Sequence, residues 1–173
     1  MKKLLVSITL LISAVSWSQE KAHEIKLNAL RALVTPAIGL NYEYAANENS
    51  SLGLSTFFNL NDEDDDYTNF AIAPYYRQHF FDNLSTGNKG FFLEGMLQYS
   101  SGKDEAEVIP ETQQVVTEDF GDLGIAFGAG YKLVSNNGFT VDVGGSVGRN
   151  FKISDHSPDF FFRWGIYLGY RFF

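Results

Sequence analysis

The last stretch of this chain constrains its fold more than any other. Phe160, Phe162, Trp164, Ile166, Leu168, Tyr170 and Phe172 occupy one parity, and Arg163, Gly165, Tyr167, Gly169 and Arg171 occupy the other. Side chains of a β-strand point alternately to opposite faces, so this spacing predicts a strand with one wholly apolar face. A soluble sandwich keeps its outer faces polar and has no use for such a run. A strand with one face in lipid requires it.

The same parity test divides the rest of the chain into seven more segments. Segment seven sets Phe139, Val141, Val143 and Val147 against Thr140, Asp142, Gly144, Ser146 and Gly148. Segment six sets Leu123, Ile125, Phe127, Ala129, Tyr131 and Leu133 against Asp122, Gly124, Ala126, Gly128, Gly130 and Lys132. In segment five Phe91, Leu93, Leu97 and Tyr99 oppose Glu94, Met96 and Gln98; in segment four Phe70, Ile72, Tyr76 and Phe80 oppose Ala71, Ala73, Tyr75, Arg77 and His79. Pro74 has no N–H to give to a ladder, which predicts a bulge or kink there. Segment three opposes Leu52, Leu54, Phe58 and Leu60 to Gly53, Ser55, Phe57 and Asn59, and segment two opposes Ile38, Leu40, Tyr42 and Tyr44 to Gly39, Asn41 and Glu43. Segment one, about Glu24 to Leu33, is the faintest, with Ile25, Leu27 and Ala29 against Lys26 and Asn28.

Eight segments of roughly 9–13 residues match tilted transmembrane strands. The connectors add an independent signal. Asn47–Ser50 and Ser135–Gly138 are tight, and Asp82–Lys89 is somewhat longer. They alternate with the longer Asn61–Asn69, Ser101–Asp119 and Asn150–Asp159, as periplasmic turns alternate with outer loops in barrels. Only the first outer connector, near Val34 to Pro36, is short. Val108-Ile109-Pro110 and Val115-Val116 have the pattern to continue segments five and six beyond the membrane as a hairpin. The expected fold is therefore all-β, an eight-stranded antiparallel up-and-down transmembrane barrel.

Residues 1–18 read as a secretory signal: Lys2 and Lys3, an apolar run from Leu4 to Val15, then Ser16-Trp17-Ser18 before a cut at Gln19. That leaves residues 19–173 as a single barrel domain, and takes two positive charges from a chain whose formal net charge is already −8. So acidic a chain is unsuited to nucleic acid, whose phosphates need clustered Lys and Arg. It contains no cysteine, hence no disulfide and no N-terminal lipid anchor on that residue. Sixteen Phe, nine Tyr and sixteen Gly against four Pro suit a sheet that is apolar on one face and closely packed on the other.

Lys26-Leu27-Asn28, Tyr42-Glu43-Tyr44 and Pro74-Tyr75-Tyr76-Arg77, set in this architecture, give a mature chain that resembles the small outer-membrane β-barrels of the OmpA, OmpX and OmpW kind. The resemblance implies a Gram-negative outer membrane, periplasmic termini, and contact with its lipid and lipopolysaccharide. It also implies insertion by the barrel assembly machinery, which reads an aromatic C-terminal strand; Tyr170, Phe172 and Phe173 fit that signal. In the usual signature the final Phe shares parity with the apolar face, whereas here Phe172 does and Phe173 stands one place out. A monomer is expected.

Parity sends Lys26, Arg77, Lys132, Arg163 and Arg171 inward with Glu43, Glu94, Asp122 and Asp142, five cations against four anions. An eight-stranded barrel is just wide enough inside for side chains to fill it, and buried charges need partners. The near-balance therefore predicts a plugged, salt-bridged lumen, with Glu43 and Arg77 as its first pair. The glycines and Ala126 of segments six and seven are expected to make room for long Arg and Tyr side chains from segments four and eight. A narrow conduit for small or apolar solutes is the alternative.

Catalysis is not expected. His23 and His79 fall toward the periplasmic side, and His156 in Asp155-His156-Ser157 is the only outer-loop candidate for lipid chemistry. Neighbours on one loop rarely meet the geometry of a nucleophile, a base and an orienting acid. The run Asp62, Glu63, Asp64, Asp65 and Asp66 offers carboxylates to a hard cation. It lacks the glycine and the acid that a calcium loop places at its sixth and twelfth positions, here Tyr67 and Ala73. It reads as a solvated loop tip, at most a weak cation bridge to lipopolysaccharide. No cofactor or metal is expected.

Overall fold

The alternation closes on itself. A computed structural model describes residues 22–60, 68–80, 87–109, 114–153 and 158–172, the backbone alone over 104–109 and 114–118. Its strands are β1 (His23–Asn28), β2 (Ala37–Asn47), β3 (Ser50–Asn59), β4 (Thr68–Phe80), β5 (Gly90–Ile109), β6 (Gln114–Val134), β7 (Phe139–Asn150) and β8 (Phe160–Phe172), with a short helix α1 (Ala29–Val34) after β1. Each strand pairs antiparallel with the next, and β1 pairs with β8 to close the barrel. Both described ends of the chain lie beside the tight turns Glu48–Asn49 and Ser135–Gly138; this is the turn end, and the opposite rim is the loop end. At the second of those turns Gly138 takes φ +87°, a conformation other residues rarely adopt.

The predicted faces hold along every strand. Phe162, Trp164 and Phe127 stand 70%, 61% and 65% exposed on the outer wall, while Ala73, Tyr75, Met96 and Ala126 pack inside. Glycines let aromatic rings fill the interior. A Cβ on Gly53 would lie 2.1 Å from the Tyr75 ring, and one on Gly148 would lie 2.2 Å from Phe161. The ring of Phe92 fills the space over Gly130 and Gly144. Thus the notches of β6 and β7 receive phenylalanines from β5 and β8 rather than the arginines expected from parity, and Tyr75 of β4 seats on β3.

Two other expectations are corrected. Segment one is not a strand to Leu33: β1 stops at Asn28, whose side-chain oxygen accepts from the Arg31 N–H at 3.1 Å and caps α1. Ala29-Leu30-Arg31-Ala32-Leu33 are good helix formers, and the alternation of Ile25, Leu27 and Ala29 hid that preference. Pro74 causes no bulge. The β4–β5 register is the same on either side of it (Ile72↔Tyr99, Tyr75↔Met96), and Pro74 stays in register with Leu54 of β3. The shift in this ladder falls instead between Thr68 and Phe70. The hairpin expected from Val108-Ile109 and Val115-Val116 is present: most of the connector from Ser101 to Asp119 continues β5 and β6, with Val108 opposite Val115 and Ile109 opposite Gln114.

Candidate functional site

Inside the turn-end half of the barrel, four cations meet four carboxylates. Glu24 and Glu43 face each other across the β1–β2 ladder, an arrangement of like charges that is unfavourable by itself. Lysines bridge them. Lys26 Nζ lies 2.8 Å from Glu24 and 2.7 Å from Glu43, and reaches Asp142 at 2.7 Å. Lys132 Nζ donates to Glu24 at 3.0 Å and to Glu43 as well. Glu43 further accepts from Ser51 at 2.8 Å and from Tyr75 at 3.1 Å. Arg77 NH1 donates to Glu43 at 2.9 Å and to Asp142 at 2.7 Å, while its NH2 donates to Glu94 at 2.8 Å. The Arg77 guanidinium lies over the Phe92 ring, 3.8 Å from its centroid. Arg171 pairs with Glu24 at 2.6 Å and donates to the carbonyls of Gly87 and Asn88, both at 3.1 Å, tying β8 to the β4–β5 connector.

The physical reason for this density is desolvation. Lys26, Lys132, Glu43 and Asp142 are at most 1% exposed, and an ion out of water costs several kcal/mol (roughly) unless opposite charges and hydrogen bonds surround it. Glu43 meets that demand with five donors, from Lys26, Lys132, Arg77, Ser51 and Tyr75.

Eight residues form this cluster, and Glu24 is the member absent from the sequence-level set. It shares parity with Lys26 two positions on, and that was the available signal. Two predicted members lie elsewhere. Asp122 is buried near the loop end, where it accepts from the N–H groups of Leu123 (2.7 Å) and Ile153 (3.2 Å). Arg163 donates to Gln98 Oε1 (3.4 Å), to Met96 Sδ (3.3 Å) and to the Ser55 hydroxyl, all neutral groups. Beside Arg163, in the loop-end half, the interior opens into a cavity of about 440 Å³.

Of the histidines, His23 contacts the Tyr42 hydroxyl at 2.6 Å, His79 is buried against Phe92, and His156 lies outside the described residues. So do the acidic run from Asp62 to Asp66, the signal segment 1–18 and Phe173. Tyr170 and Phe172 lie on the outer wall at the turn end, where the Tyr170 ring meets those of Phe139 and Phe172 at 5.5 and 5.3 Å. Among the described residues no group of three or more His, Cys, Asp or Glu is placed to hold a metal ion.

With strand number, closure and faces established, comparison with solved structures is decisive for the fold. The N-terminal β-barrel domain of Pseudomonas aeruginosa OprF superposes with a TM-score of 0.58, covering 87% of this chain and 97% of that domain. This chain has the OprF barrel fold. At 14% identity the likeness to OprF is one of fold. No family model matches the sequence, and no curated protein matches it. The small-barrel architecture implied by the OmpA-like resemblance is thus met, as an eight-stranded antiparallel closed barrel.

Proposed function

We propose that this chain is an integral outer-membrane protein whose lumen is barred to ions at its turn end, with a structural or surface-interaction role and no catalysis. The observation that carries the reading is the contrast between its two faces. The outer wall is ringed with exposed Leu, Ile, Val, Phe, Tyr and Trp from all eight strands, while the turn-end half of the inner face sets four cations against four carboxylates. An outer face of that kind gains free energy in hydrocarbon and loses it in water. A balanced, multiply bridged cluster leaves no unpaired field to draw an ion through.

In this reading residues 1–18 are cleaved on export, the assembly machinery recognises the aromatic β8, and the monomer inserts with both termini in the periplasm. The acidic outer loop of Asp62–Asp66 faces lipopolysaccharide and its divalent ions. A conduit for small solutes would need water between partners such as Glu43 and Arg77, which stand at direct contact distance.

Heat-modifiability tests the reading. The folded protein, extracted from outer membranes, is expected to migrate faster before boiling than after. Identical migration, together with recovery in the soluble periplasmic fraction, would overturn it.

A further inference from the structure

We infer that the loop-end cavity is a lateral binding site for a single-chain amphiphile with an anionic head group, entered through a gap in the barrel wall above β1. The gap follows from the early end of β1. Its pairing with β8 stops at Asn28↔Tyr167, so β8 from Phe160 to Ile166 has no strand partner on that side. Pairing with β2 stops at Leu27↔Leu40, leaving Ala37–Gly39 likewise without a β1 neighbour. At about 3.3 Å per residue the unpaired stretch of β8 runs roughly 23 Å. The six-residue α1, which packs between β8 and β2, spans only about 9 Å.

The cavity meets this gap. Its walls include inward-facing Arg163, Asn41 and Phe57, but also Phe162 and Trp164, which belong to the outer face. It therefore opens sideways at the height of the outer apolar band. An unpaired backbone edge is not tolerated in hydrocarbon unless it borders a polar or water-filled space, so the gap has to admit polar groups as well as lipid.

Charge selects the occupant. The guanidinium of Arg163 is held by Ser55, Gln98 and Met96, with no carboxylate among its partners in the described residues, so it presents positive charge at the cavity wall. Arg31 of α1, stacked over the Phe57 ring at 4.4 Å, also borders the cavity. The amide oxygen of Asn41, 5% exposed, reaches the same space without a hydrogen-bond partner among the described residues. About 440 Å³ lies within the usual ~300–1,000 Å³ of small-molecule sites. A carboxylate or phosphate seated at Arg163 would let one acyl chain leave between Phe162, Trp164 and the helix toward the bilayer.

The test is binding of a fluorescent long-chain fatty acid, and of the alcohol of equal length, to the full mature chain in phosphatidylcholine nanodiscs, with empty nanodiscs as background. Saturable binding of the acid is expected, at least about tenfold tighter than the alcohol. Arg163→Gln should bring the acid down to the level of the alcohol and weaken the alcohol far less, while Arg163→Lys retains most of the preference. Ala71→Phe, which fills the cavity without touching charge, should weaken both ligands. Folding of each variant is read from its heat-modifiable band, and this also separates failure of the site from failure of the membrane assignment. If Arg163→Gln does not fold, Arg163→Lys and Ala71→Phe decide. Absence of saturable binding, equal affinity for acid and alcohol, or indifference to both Arg163→Gln and Ala71→Phe would overturn the inference.

Discussion

The two halves of the barrel interior are built on the same alternating strands and solve opposite problems. At the turn end, four cations and four carboxylates from seven strands are drawn into one cluster in which Glu43 alone meets Lys26, Lys132 and Arg77. At the loop end, Arg163 is held by neutral groups beside a cavity of about 440 Å³, and the wall is thinned where β1 gives way to α1. The difference teaches that parity decides only whether a charge points inward. Its height in the barrel, fixed by turns and register, decides whether it finds a partner. In the proposed function the turn end supplies stability and closure, and the loop end is free to vary.

The largest effect should come from unbalancing the cluster. Glu43→Ala strands three buried cations and is expected to cost about 3–5 kcal/mol, read as a lowered urea midpoint in lipid vesicles. The double variant Glu43→Ala/Arg77→Ala should cost less than the sum of the two singles. Strict additivity would mean that the two side chains do not act as a pair.

Next in size is a steric break at a glycine notch. Gly148→Val drives a side chain into Phe161 and should cost about 1–3 kcal/mol, with partial rescue by Phe161→Ala.

Smaller changes belong to the loop end. Asn28→Ala removes the cap of α1 and should cost about 1 kcal/mol. Arg163→Gln should cost less than about 1.5 kcal/mol, because only hydrogen bonds to neutral partners are lost. A loss at Arg163 as large as that at Glu43 would erase the contrast between the halves.

What the sequence revealed follows the same division. Every strand except β1 was legible, because an apolar outer wall and a polar, glycine-rich interior alternate at period two and nothing else in the chain competes with that signal. The inward sense of Lys26, Glu43, Arg77, Glu94, Lys132, Asp142 and Arg171 was legible on the same ground. Grouping them was not. Asp122 and Arg163 share the parity of the cluster and yet lie toward the loop end, since their distance along the barrel depends on inter-strand stagger that no single strand encodes. The end of β1 was hidden because Asn28 serves both readings, as an inward strand residue and as a helix cap, and only the bond its side-chain oxygen accepts from the Arg31 N–H separates them. No bulge forms at Pro74 because a missing N–H interrupts the pairing with β5 between Ile72 and Tyr75 without inserting a residue.

The central claim, that the turn-end cluster bars the lumen, is tested most directly by single-channel conductance of the refolded protein in a planar bilayer, with Arg77→Ala alongside. The account predicts a silent wild type, and silence from Arg77→Ala as well if the remaining lysines and aromatic rings still fill the bore. Clean, reproducible conductance steps from the wild type would contradict it and would make the protein a conduit.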